Sequence, residues 1–203
     1  MNMTYRSLSP PDPDLPGRLQ KCFPLWVPIA FACAVLALPA NRTAHASGPS
    51  AEPLLGTYRF AGGQDEVRKV ERAIDEGVEE MSFLIRGIAS RRLKEPNLPS
   101  DELRIFMEGA NITVARHGHP DISAPATGRA VTWRNPDNGN ELEVTHRVGA
   151  DGALTQRLVG DRGISVNVFE VDGSGRLTMK TTIEAEKLPS PIRFSTTYVR
   201  RAE

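Results

Sequence analysis

The chain of 203 residues has few of the side chains that build disulfide frameworks, metal centres or nucleic-acid interfaces. Its only two cysteines, Cys22 and Cys33, both lie near the N-terminus, which excludes a disulfide framework or a cysteine-based metal site in a folded domain. Aromatic residues make up 6%, and the 25 basic residues are matched by 25 acidic ones. Nucleic-acid-binding proteins usually carry a basic excess, so we expect no nucleic-acid partner.

Sequence motifs for catalysis are also missing. There is no Gly-x-Ser-x-Gly elbow, His-Glu-x-x-His pair, phosphate loop or dinucleotide fingerprint. His117 and His119 lack a third ligand nearby, and zinc sites normally need three or four, so we interpret them as part of a turn. We predict no catalytic residues, no metal and no cofactor, and we favour a non-enzymatic role.

The N-terminus has the features of an export signal. Arg18 and Lys21 precede an apolar run over 23–40, and an Ala-x-Ala sequence ends at Ala46. A basic flank, an apolar core and small residues before the cleavage point are typical of secretory signals. We therefore predict a signal peptide over 1–46, a flexible leader over 47–53 and an exported mature chain, periplasmic or extracellular. The alternative is an uncleaved membrane anchor formed by 23–40, which just reaches spanning length.

One amphipathic helix is predicted after a short first strand. Seven apolar residues between Val67 and Ile88 recur at intervals of three or four, which places them on one helix face. Gly77 weakens this helix but need not break it. We predict a single helix over 64–93. Because its polar face carries both signs of charge, we favour packing of the apolar face on the protein's own sheet over docking on a membrane or a partner.

The rest of the chain predicts sequential antiparallel strands. Eight segments with period-two alternation follow residue 100, separated by short turns such as Asn138-Gly139 and Asp151-Gly152. Connections this short exclude parallel crossovers. The sequence thus predicts a mainly β, up-and-down barrel as a single domain over 54–203, and closure of a meander this long brings the first strand beside the last.

Alternation also identifies the polar residues that face the interior. These candidate ligand-binding residues are His146, Gln156, Thr181, Thr196 and Tyr198. Apolar pockets usually carry a few polar groups that orient a ligand. Each has a structural alternative, because such side chains can also satisfy one another in a core.

Gly56-Thr57-Tyr58 in the first strand resembles the Gly-x-Trp opening of lipocalins and other calycin barrels, with tyrosine in place of tryptophan. In that family the ring plugs one barrel end and a late arginine packs over it, a role that the resemblance gives to Arg200. The resemblance implies a lipocalin-like bacterial envelope protein that binds a small apolar molecule or lipid. The sequence departs from the family in placing a long helix after the first strand.

Two hypotheses follow from these features. The first is an exported, non-enzymatic barrel that binds a small apolar or amphipathic, lipid-like ligand. The second is a structural or protein-interaction module of the cell envelope without a bound ligand. An enzyme that uses His146 would need a cavity reaching that residue and a second acid or base beside it.

Overall fold

The computed structural model describes residues 50–201, so the predicted signal peptide and the alternative anchor both lie outside the described residues. Within this part of the chain no helix is long and apolar enough to span a bilayer. The elements in order are the 3₁₀ turn Glu52–Leu54, β1 (Gly56–Phe60), α1 (Gly63–Gly77), α2 (Phe83–Asn97), β2 (Glu102–Glu108), β3 (Asn111–Arg116), β4 (Ile122–Pro125), β5 (Val131–Arg134), β6 (Glu141–Val148), β7 (Leu154–Gly160), β8 (Gly163–Val171), β9 (Arg176–Glu184) and β10 (Ile192–Arg200).

The strands form one ten-stranded antiparallel sheet in the order β4-β3-β2-β1-β10-β9-β8-β7-β6-β5. The first strand pairs with the last, with Phe60 opposite Tyr198, as the sequence predicts. The mainly β, antiparallel up-and-down architecture is therefore confirmed. Closure is incomplete, however, because β4 and β5 stand at the two ends of the strand order. The result is a nearly closed barrel.

One strand was not predicted. β4 has only four residues, ends in Pro125 and shows too short an alternation to stand out from a loop. The chain after β4 reaches across the opening: Thr127 forms an isolated bridge with Arg147, and Gly128 N donates to His146 O at 2.8 Å. These contacts narrow the gap without completing the barrel.

The prediction of one helix over 64–93 is wrong, because α1 ends at Gly77 and α2 begins at Phe83. A Cβ atom added to Gly77 would lie 2.3 Å from Ile192 Cγ1. The end of α1 therefore lies closer to β10 than a residue with a Cβ atom would permit. Glycine at position 77 therefore allows the end of α1 to pack directly against β10.

The apolar stripe is buried in α1 but not in α2. Val70 and Ile74 have no exposed surface and pack against Ile183 and Ile192. In α2, by contrast, Phe83 is 87% exposed. The remaining large apolar residues near the start of α2, Leu84, Ile85 and Ile88, are exposed as well. The interpretation of the whole stripe as core is correct for the first helix and wrong for the second.

The two ends of the barrel differ. We call the end where β1 begins and β10 finishes the plug end, and the opposite end, where both helices lie, the helix end. At the plug end Leu54 of the 3₁₀ turn is buried in the main core with Leu103 and Leu177. Glu52 and Pro53, which belong to the segment 47–53 that was expected to be a flexible leader, therefore lie in an ordered 3₁₀ turn at this end.

Candidate functional site

Three of the predicted interior residues lie in a chain of hydrogen bonds across neighbouring strands. His146 on β6 faces Gln156 on β7, with Nε2 of the imidazole 2.9 Å from Nε2 of the amide. Asn167 Nδ2 donates to Gln156 Oε1 at 3.0 Å, and Thr181 Oγ1 donates to Asn167 Oδ1 at 2.8 Å. All four side chains are buried. Asn167 was not predicted from the sequence, although alternation along β8 places it on the same face as Phe169.

The contact of His146 with a backbone carbonyl determines which group donates in the bonds of this hydrogen-bonded series. His146 Nδ1 lies 2.9 Å from Ile112 O, and a carbonyl oxygen only accepts, so Nδ1 carries the proton. Nε2 must then accept from Gln156, and the imidazole is neutral. Burial lowers the pKa of His146 from its ordinary value near 6.5, although hydrogen bonds to backbone carbonyls oppose this shift.

His146 also links the two sides of the barrel opening. Ile112 belongs to β3 and His146 to β6, which lie on opposite sides of the unpaired β4 and β5 edges. Neither ring nitrogen of His146 contacts a second acid or base, because Nδ1 lies against a carbonyl oxygen and Nε2 against an amide nitrogen. The condition set for an enzyme that uses His146 is therefore not met by these neighbours.

The other two predicted residues, Thr196 and Tyr198, lie in a separate group near the helix end. The buried side-chain polar atoms without a hydrogen-bond partner among the described residues are Ser100 Oγ, Arg116 Nε, Thr196 Oγ1 and Tyr198 Oη. Burial raises the pKa of Tyr198, whereas the charge of Arg116 and polar contacts with the Thr196 side chain and the Ser100 backbone act to lower it. We call these four residues the unpartnered cluster.

Arg116 at the end of β3 was not a candidate from the sequence. Its Nη1 and Nη2 donate to Pro96 O at 2.9 Å and Leu98 O at 2.8 Å, where α2 ends. The negative end of the helix dipole favours a cation there. None of the ion pairs within residues 50–201 includes Arg116. Burial lowers the pKa of Arg116, in keeping with a cation that has no carboxylate beside it.

The predicted barrel-end residues lie together at the plug end. Arg200 Cζ stands 5.2 Å from the centre of the Tyr58 ring, and Arg200 Nη2 donates to Tyr58 Oη at 2.9 Å. Tyr58 Oη in turn donates to Leu54 O at 2.9 Å. A Cβ atom added to Gly56 would lie 3.3 Å from Arg200 Nη1, which explains a glycine beside the guanidinium.

A cleft of about 380 Å³ opens at the helix end, between α2 and the ends of β6 to β9. Its size falls in the range of small-molecule sites. The apolar residues in its wall are Leu93, Pro96, Leu142, Leu158, Ile164 and Ile183. The polar and charged residues in the wall are Asn140, Glu141, Asp161, Arg162, Ser165 and Glu184. None of the five predicted ligand-binding residues lines this cleft.

No protein-family model and no curated protein matches the sequence. Solved structures that resemble the fold include a Schistosoma mansoni fatty acid binding protein in complex with arachidonic acid, at 22% identity and a TM-score of 0.44, covering 75% of this chain and 99% of that one. A mutant of the fluorescent protein UnaG is 16% identical, with a TM-score of 0.46 and coverages of 76% and 100%. A luciferase domain from the dinoflagellate Lingulodinium polyedrum is 14% identical, with a TM-score of 0.47 and coverages of 75% and 43%.

Proposed function

We propose that this protein binds a small amphipathic, lipid-like ligand at the helix end of its barrel. The observation that carries the proposal is the cleft of about 380 Å³, whose wall combines aliphatic side chains with charged ones. Burial of apolar surface contributes roughly 25 cal/mol per Å², so a short alkyl chain gains several kcal/mol by entering such a cleft. The similar solved structures superpose too loosely on this chain to lend it their ligands.

The cleft also adjoins polar groups that a purely apolar ligand does not need. Pro96 lines the cleft, and its carbonyl oxygen accepts a hydrogen bond from Arg116 Nη1. An amphiphile with its tail in the cleft therefore has donors within the same part of the barrel. This arrangement favours an amphipathic ligand over a plain hydrocarbon.

Native mass spectrometry of the protein purified without detergent tests the proposal. We expect an additional mass that disappears on denaturation. Ser165→Trp fills the cleft from its wall and should abolish this mass, whereas Ser195→Trp, the same exchange at an exposed position on β10, should retain it. A Ser165→Trp protein that carries as much ligand as the unchanged protein would place the ligand elsewhere and contradict the proposal.

We also propose export, with cleavage after Ala46, to the periplasm or the medium. The support is the basic flank, the apolar run 23–40 and the Ala-x-Ala sequence. Cell fractionation followed by N-terminal sequencing tests this step: a chain that begins at Ser47 is expected. A chain found intact in the membrane fraction would instead indicate the uncleaved anchor.

The second candidate function, an interaction module of the envelope, is favoured by the exposed start of α2. Phe83 and Leu84 are 87% and 82% exposed, which is unusual for adjacent large apolar residues. Their joint change to serine should leave the melting temperature unchanged. If the same variant loses a partner captured from cells but keeps its bound ligand mass, the helix is a contact surface in addition to the cleft.

A further inference from the structure

The end of α1 and the first part of α2 carry charged and apolar side chains in three consecutive blocks. Residues 75–80 contain four acidic side chains and no basic one, and residues 86–94 contain four basic side chains and no acidic one. The segment between them, 81–85, has no charged residue and contains Phe83, Leu84 and Ile85. We call the whole stretch, 75–94, the helix junction.

The apolar block of the helix junction is not covered by any part of the described chain. Ser90 Oγ and Lys94 Nζ each donate to the carboxylate of Asp75 at 2.7 Å, which shows the face of α2 that is turned toward α1. Leu84 and Ile88 are four residues apart, so they share a face, and both are exposed. Of its fifteen residues α2 buries none. Its outer face therefore presents apolar side chains to the surroundings.

The charged residues on either side of the apolar block are free of ion pairs. Glu79 and Glu80 lie on one side of it and Arg91 and Arg92 on the other, and all four are exposed. None of them belongs to an ion pair within residues 50–201. Arg92 follows Ile88 by four residues and so continues the exposed face of α2. Each copy of the chain thus presents an apolar centre with unpaired acids at one side and unpaired bases at the other.

This order of blocks is complementary to itself. When two identical chains meet about a two-fold axis, the same surface lies on both sides and runs in opposite directions. Counted along the chain, an axis that passes α2 between positions 85 and 86 brings Arg91 of one copy level with Glu80 of the other. The same axis brings Arg92 level with Glu79 and one apolar block against the other. Every unlike-charge contact then occurs twice.

Other occupants satisfy only part of the helix junction. A bilayer rich in anionic lipids attracts a basic segment and repels the acidic block beside the apolar one. A protein partner with a single sign of charge attracts one side and opposes the other. A second copy supplies both signs in the required order. It also gives the usual anatomy of an interface, an apolar centre with a polar rim.

We propose that the helix junction is the interface of a homodimer in which α2 of one copy packs antiparallel against α2 of a second copy. This step rests on the second candidate function for the surface and names its partner, and it is independent of the ligand in the cleft. An interface centred on so few apolar side chains falls below the standard size of about 800 Å² per partner, so we expect reversible association with a dissociation constant on the order of 10 μM.

Sedimentation equilibrium of the protein purified without detergent, from about 1 to about 300 μM, tests the homodimer. The double variant Arg91→Glu, Arg92→Glu places like charges opposite each other at both ends of the interface. Its affinity for itself should fall at least about tenfold. The double variant Glu79→Arg, Glu80→Arg should lose affinity to the same extent from the other side. Circular dichroism checks that both variants keep the fold.

A mixture of these two charge-reversed proteins decides the test. One carries acids on both sides of its apolar block and the other carries bases on both sides, so each repels itself and complements the other. We expect the mixture to form a heterodimer with the affinity of the unchanged protein. The control is Arg129→Glu, Arg176→Glu, the same exchange at exposed positions outside both helices, which should dimerise as the unchanged protein does.

Three results would overturn the homodimer. Association that both charge-reversed variants retain places the interface elsewhere. Folded variants that each lose association but do not form a heterodimer refute the antiparallel arrangement. A chain that is monomeric over the whole range has no such interface, and binding of that monomer to phosphatidylglycerol vesicles would assign the surface to a membrane.

The second candidate function is tested separately by Phe83→Ser, Leu84→Ser. In the homodimer this variant should also weaken association at least about tenfold, because it removes the apolar centre. If the unchanged chain is monomeric but the variant loses a different protein captured from cells, the interaction module stands and the homodimer fails. If the chain neither associates nor loses a partner, both fail.

Discussion

At the scale of single residues, the buried polar groups of the barrel are of two kinds. Each of the four side chains from His146 to Thr181 has a hydrogen-bond partner, whereas the unpartnered cluster contains buried polar atoms without one among the described residues. A fully satisfied buried network stabilises one arrangement of its side chains. The neutral state of His146 is part of that arrangement, because a proton on Nε2 would point at the amide nitrogen of Gln156.

The free energy of unfolding should therefore depend on the protonation of His146. Burial lowers the pKa of His146 in the folded protein below its unfolded value near 6.5. The unfolded chain thus binds the proton more readily, and stability should fall as the pH decreases below about 6.5. Urea unfolding between pH 8 and pH 5 measures this decrease. His146→Asn, although less stable overall, should show a flatter dependence on pH.

His119 provides the control for this measurement. Burial and the neighbouring Arg116 also lower the pKa of His119, so it contributes a slope of the same sign. His119→Asn should retain the part of the slope that belongs to His146. If His119→Asn alone flattens the dependence completely, the interior imidazole is not the group that titrates.

At the scale of elements, two glycines in helices have opposite roles. Gly77 ends α1 where a Cβ atom would collide with Ile192, while a Cβ atom at Gly87 in α2 meets no other atom within 4 Å. Helix propensity alone favours alanine over glycine by about 1 kcal/mol at both positions. The packing of α1 on β10 must therefore decide the outcome at Gly77.

Gly77→Ala should destabilise the protein by about 1–3 kcal/mol, the usual cost of overpacking, despite the gain in helix propensity. Gly87→Ala should instead stabilise it by roughly 0.5–1 kcal/mol. Thermal unfolding of both variants measures the difference. An increase in melting temperature for Gly77→Ala would show that α1 does not rest on Ile192 as closely as the structure indicates.

These elements also show which parts of the fold can be predicted from sequence patterns. The long strands were predictable because alternation and Gly-containing turns mark them, as in β9, where Leu177, Met179, Thr181 and Ile183 are all buried. The division of the helix was not, because the periodicity continues through Gly77 and only the contact with Ile192 reveals the break. β4 is too short for a period to be recognised.

The candidate site was predictable in part for a related reason. Alternation identifies side chains that face inward, which is how His146 and Tyr198 were found. It does not reveal which of them are paired, since that depends on the register between strands. Arg116 was missed because an arginine at a strand end is usually solvated. Only the fold shows that its Nε faces the interior beside Tyr198.

At the scale of the whole molecule, the two ends of the barrel are built differently. Tyr58, Arg200 and the 3₁₀ turn seal the plug end, and the cleft lies at the helix end. Changes at the plug end should therefore affect stability without affecting the ligand. The separation allows the two properties to be measured independently.

Arg200→Met should lower the free energy of unfolding by about 1–2 kcal/mol, because it removes both the hydrogen bond to Tyr58 and the contact with its ring. Arg201→Met removes an exposed pair with Glu102 and should cost less than about 0.5 kcal/mol. Urea unfolding measures both values. Equal losses in the two variants would refute a special role for Arg200, and neither variant should change the ligand mass.

The position of β1 in the strand order has a consequence for how the chain folds. β2 to β4 and β5 to β10 are two meanders in which every pairing joins neighbours in sequence, and β1 is the one strand of the described sheet that pairs with a strand of each meander. The partners of β1 begin more than 40 and more than 130 residues further along the chain. Pairing of β1 therefore accounts for almost all of the entropy that is lost in closing loops between strands. We expect the meanders to form early and the docking of β1 to limit the folding rate.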